Sequence, residues 1–109
     1  MVKKELSFQT NRDEYIRDEV RESLDTFLKN EGEKVYEFKN PYYKDWTAIY
    51  HLDGCTIVLA NGMYRPSLLP NKPITSLLII ELFASEGYDF ESVEDRLQGQ
   101  LSEDRRLTR

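Results

Sequence analysis

The chain has 109 residues, about the size of one domain and too short for two. With one cysteine, Cys55, and one histidine, His51, it can build neither a disulfide framework nor a Cys/His zinc cage by itself. The formal charge of −5 is spread unevenly: residues 1–32 carry −2, 33–75 carry +1 and 76–109 carry −4. An acidic balance repels phosphate backbones and disfavours direct nucleic-acid binding.

The N-terminus has Lys3 and Lys4 but no apolar run behind them, and the longest apolar stretch, Leu77 to Ile80, is far too short to span a membrane. A single unpaired thiol suits a reducing compartment. The expectation is a cytoplasmic, single-domain protein over 1–109.

In chain order, residues 1–10 read as an extended lead-in. Thr10-Asn11 with Glu14 forms a capping box for a first helix. Its apolar stripe is Ile16, Val20, Leu24, Phe27 and Leu28. Asp13 can reach Arg17 and Asp25 can reach Lys29 at i,i+4, and Gly32 is placed to end the helix. Lys34 to Lys39 is β-branched and aromatic and reads as a strand, broken by Asn40-Pro41.

Trp46 to Leu52 and Cys55 to Ala60 flank Asp53-Gly54, the pairing a type I′ hairpin asks for because both positions need positive φ. A two-residue turn sets the register: Leu52 opposite Cys55, Tyr50 opposite Ile57, Ala48 opposite Leu59. Trp46 shares their face. This bulkier face is the expected core, leaving Thr47, Ile49, His51, Thr56, Val58 and Ala60 on the other. Asn61-Gly62 reads as a second turn, with Met63-Tyr64-Arg65 returning as an edge strand stopped by Pro66.

Pro70 and Pro73 bracket the next connection. Ile74 to Ala84 is apolar nearly all round, so periodicity cannot separate a buried helix from a buried strand. Proline at helix position N1, the length and Gly87 as a cap favour a helix. Phe90, Val93, Leu97 and Leu101 mark a last helix, capped by Asp89 or Ser92, and residues 102–109 read as a frayed polar tail. The expected fold is therefore α+β: helix, a three- to four-stranded antiparallel meander, then two helices, with the helices on one sheet face.

No phosphate loop, nucleophile elbow, zinc-helix motif or EF-hand loop occurs. His51, Asp53 and Cys55 hold the residue types of a thiol triad, yet the hairpin register puts His51 and Cys55 on opposite faces. The expectation is a protein without catalytic, metal or cofactor sites.

Two features remain. Aromatic side chains are interleaved with lysines from Lys34 to Arg65, and Tyr42, Tyr43 and Trp46 stand out as contact candidates, since tyrosine and tryptophan anchor partners. Glu86, Asp89, Glu91, Glu94 and Asp95 form an acidic run that a basic groove could receive.

A non-enzymatic protein–protein interaction module using these two surfaces is the leading reading. Small acidic chains of this kind are frequent among regulators and inhibitors of phages and mobile elements. The element order resembles that of some inhibitors of CRISPR nucleases, without a shared motif. The alternatives are a small-molecule binder or minor enzyme with Tyr50, Tyr64 and His51 lining a pocket, and a structural homo-oligomer paired through Ile49, Val58, Ala60 and Met63.

Overall fold

The computed structural model describes residues 2–10, 14–40, 46–64 and 75–103. Its elements are β1 (Val2–Thr10), α1 (Glu14–Glu31), β2 (Glu33–Lys39), β3 (Trp46–Leu52), β4 (Cys55–Tyr64), β5 (Thr75–Ala84) and α2 (Glu91–Glu103). The strands form one antiparallel sheet in the order β1-β5-β4-β3-β2.

The hairpin is as its turn dictates. Asp53 and Gly54 have φ of 48° and 79°, the double positive of a type I′ turn. Leu52 pairs with Cys55, Tyr50 with Ile57, Ala48 with Leu59 and His51 with Thr56. Trp46, Ala48, Tyr50, Leu52, Cys55, Ile57 and Leu59 are buried, and their alternates are half-buried or, for His51, exposed.

Val20, Leu24 and Leu28 of α1 and Val93, Leu97 and Leu101 of α2 join this face in a single core with Leu78, Ile80 and Leu82 of β5. Both helices therefore cover the same side of the sheet. Phe27 and Phe90 pack against that core half-buried, Asp25 pairs with Lys29 at 3.0 Å, and Asp89 rather than Ser92 accepts the Glu91 N–H at 2.8 Å. Ile16's side chain and the capping pair Asn11 with Glu14, like Asp13 with Arg17, lie outside the described residues.

Several sequence expectations are corrected. The segment read as a helix over 74–84 is strand β5, lying between β1 and β4. Leu78, Ile80 and Leu82 face the helices while Ile79 and Phe83 are half-buried on the other side, so both faces are apolar for a reason that has nothing to do with helical burial. Gly87 accordingly caps no helix. With φ 81° it sits in a turn closed by the Tyr88 N–H donating to the Ser85 carbonyl at 3.0 Å.

Asn61-Gly62 is not a turn: β4 runs straight through it, pairing Asn61 with Leu78, Gly62 with Leu77 and Tyr64 with Thr75. There is thus no returning strand at Met63-Tyr64; Arg65, Pro66, Pro70 and Pro73 lie outside the described residues. Residues 1–10 are more than a lead-in, since β1 pairs with β5 along its whole length. The tail expected over 102–109 overlaps α2, which reaches Glu103, and 104–109 are outside the described residues. The helix–meander–helix–helix order, on which the resemblance to nuclease inhibitors stood, is therefore not the order of this fold.

Gly32 ends α1, its N–H donating to the Leu28 carbonyl at 2.9 Å. A Cβ at this position would collide with the backbone carbonyl of His51, so glycine is required where the helix end meets β3.

Candidate interaction surface

Among the described residues, strand β2 pairs only with β3 and forms one edge of the sheet. Simple alternation from Lys34, which faces Tyr50, would carry Tyr36 and Phe38 to the helix-covered side. It does not, because a bulge intervenes: Lys34 pairs with Tyr50, but Tyr36 pairs with Ile49 and Phe38 with Thr47. One extra residue, Val35, re-aims everything after it. Glu37 and Lys39 land on the helix side opposite Ala48 and Trp46, while Tyr36 and Phe38 land on the open side.

A polar network fastens the helix-side residues. Lys34 bridges Asp25, at 2.9 Å, and Glu37, and the Trp46 indole N–H donates to Glu37 Oε2 at 3.2 Å. The Tyr50 hydroxyl donates to Asp25, which also meets Lys29. The Arg21 guanidinium lies 4.7 Å from the centre of the Trp46 ring, a cation–π contact covering the indole.

Burial opposes ionisation of Asp25, but the hydrogen bonds from Tyr50, Lys34 and Lys29 outweigh it and lower its pKa to about 2. Burial, with Asp25 beside it, pushes the Tyr50 hydroxyl up. This network holds the β2 edge to α1.

Among the described residues the exposed large hydrophobics are Val35, Tyr36 and Phe38, at 44%, 49% and 49% exposure. All three belong to β2. The open face beside them continues through half-buried Ile49, Val58, Ala60, Ile79 and Phe83. Lys3 and Glu81 pair at 2.5 Å toward its other margin.

The residues singled out from sequence fare differently. Trp46 is 3% exposed and belongs to the core, in phase with Ala48, Tyr50 and Leu52, so it is not a free contact residue. Tyr42 and Tyr43 lie outside the described residues. Glu86, Asp89, Glu91 and Asp95 are exposed and Glu94 is half-exposed.

These acids flank the start of α2, which is tied to the hairpin turn: Arg96 reaches Asp53 at 2.5 Å and Glu31 at 2.7 Å, and the Tyr88 hydroxyl donates to the Asp53 carbonyl.

Of the residues in the other readings, Ile49, Val58 and Ala60 do share the open face, while the Met63 side chain lies outside the described residues. Tyr50 is buried under the helices and His51 is exposed on the opposite face, so the two cannot line one pocket; Tyr64's side chain is not described. Cys55 is buried beneath the helices, its thiol pushed up by burial and donating to the Thr56 carbonyl at 3.8 Å. His51 and Cys55 stand on opposite faces.

Among the described residues no group of three or more His, Cys, Asp or Glu side chains is arranged to hold a metal ion, and no helix is long and apolar enough to cross a membrane. The β2 surface escaped the sequence reading, although charged residues at Glu33, Lys34, Glu37 and Lys39 are the usual mark of an edge strand. Compared with known protein families, with curated proteins and with solved structures, the chain matches none.

Proposed function

We propose that this protein is a non-enzymatic protein–protein interaction module that makes contact through the β2 edge and the open sheet face beside it. The observation that carries this reading is the concentration of exposed large apolar side chains, Val35, Tyr36 and Phe38, on one edge strand. Exposed aromatics beside a strand edge combine two sources of affinity: main-chain pairing and burial of rings that lose little side-chain entropy. The bulge at Val35 keeps Tyr36 and Phe38 out of the core, where alternation would otherwise have taken them.

Affinity capture from cells of origin, comparing the wild-type chain with a Tyr36→Ser/Phe38→Ser variant, tests the reading. Reproducible partners lost in the variant are expected. Partners retained in full by the variant, or none captured by either protein, would overturn it.

A further inference from the structure

We infer that the occupant of the β2 edge is a second copy of this chain, paired antiparallel through Tyr36–Asn40 about a twofold axis at Phe38; this rests on the interaction-module reading and names its partner. The bulge limits which registers are open. Glu33 and Lys34 precede it and follow the opposite alternation from the residues after it, so a regular ladder can use only the segment beginning at Tyr36. Within that segment, pairing centred on Glu37 would set Glu37 directly against its own copy, a like-charge contact. Pairing centred on Phe38 sets Glu37 against Lys39 of the second copy, and Lys39 against the second Glu37, with Phe38 against Phe38 on the open face.

The charges are available for this. Lys39 is 65% exposed and touches Glu37 of its own chain only at 3.9 Å, the long limit of an ion pair. Glu37 commits Oε2 to Lys34 and the Trp46 indole, and turns Oε1 toward Lys39. A second lysine arriving from across the edge completes that oxygen's shell. The paired edges join two five-stranded sheets into one, with the exposed Phe38 rings meeting at its centre and the two open faces side by side. Charged residues ordinarily keep an edge strand from pairing. Here one register makes them complementary, so the same lysine that repels other strands admits this one.

The experiment uses the full chain. Sedimentation over a rising concentration series should show a monomer–dimer equilibrium. K39E should weaken it about ten-fold by setting two like-charged pairs across the axis, and the E37K/K39E exchange should recover part of the loss.

Register is read by cysteine placement in a Cys55→Ala background. Paired Phe38 α-carbons would lie about 5 Å apart, within disulfide reach, so F38C should cross-link under mild oxidation. Y36C should not, since Tyr36 and its copy would be about 13 Å apart. A monomer at every concentration overturns the proposal, as does a dimer indifferent to K39E or cross-linked by Y36C instead of F38C. If the chain is monomeric yet loses captured partners in the Tyr36→Ser/Phe38→Ser variant, the interaction reading survives and only the second copy is excluded.

Discussion

Alternate residues of β3 and β4 face two different environments. On one side Ala48, Tyr50, Leu52, Cys55, Ile57 and Leu59 meet two helices and are buried; on the other Thr47, Ile49, Thr56, Val58 and Ala60 are only half-buried. Both sets come from the same strands, and β propensity favours the second, where Thr47, Ile49, Thr56 and Val58 are β-branched. Their difference lies in what covers them, so the first should carry folding stability and the second should be open to other work. At β2 the division is sharper still, because one bulge sends Glu37 and Lys39 to the helix side and leaves Tyr36 and Phe38 outside.

The largest effect is expected on the covered face. Leu59→Ala should cost about 2–5 kcal/mol in urea unfolding, through lost burial and a residual cavity. Ile49→Ala, one strand away on the open face, should cost about 1 kcal/mol. Equal losses would mean the open face is packed as tightly as the covered one.

Gly32→Ala should cost about 1–3 kcal/mol, since its Cβ must displace the His51 carbonyl of β3. Thermal unfolding of this variant measures how firmly the end of α1 is set against the sheet.

A smaller effect should appear in acid. Asp25 is held at about pKa 2 against an unfolded value near 3.9, so the folded state favours its ionised form. Its contribution is present above about pH 4 and is lost as pH falls through about 2. After allowance for solvent screening it amounts to roughly 1 kcal/mol. Urea midpoints between pH 5 and pH 2 should fall more steeply for wild type than for Asp25→Asn.

The smallest expected change is in the stability of Tyr36→Ser/Phe38→Ser, within about 0.5 kcal/mol per site, because both side chains are half exposed in the monomer. Large destabilisation would show that they pack within the chain.

The same contrast explains what could be read from residues alone. The hairpin was legible because its cause is local: Asp53-Gly54 accepts positive φ at both positions, and every cross-strand pair follows by counting. The stripes of α1 and α2 were legible for a similar reason, each having a single buried face. β5 was not, because its two apolar faces reflect a central position between β1 and β4, a non-local fact that looks helical in a window of eleven residues.

Asn61-Gly62 misled in the opposite sense. A local turn signal was overridden by nine consecutive pairings of β4 with β5. β1 left a trace in the alternation of Leu6 and Phe8 with Ser7 and Gln9, and the register sets Leu6 and Phe8 opposite Ile80 and Leu78. The β2 surface was illegible because one bulged residue reverses which side chains point outward, and alternation by itself carries no mark of it.

In the proposed dimer, two copies of this chain meet at the edge of β2 with their open faces side by side. Backbone amide chemical shifts recorded across a concentration series test it most directly. Shifts that grow with concentration and centre on Tyr36 to Lys39 are the predicted result. Spectra that do not change with concentration, or changes centred on Glu91 to Asp95 of α2, would contradict it.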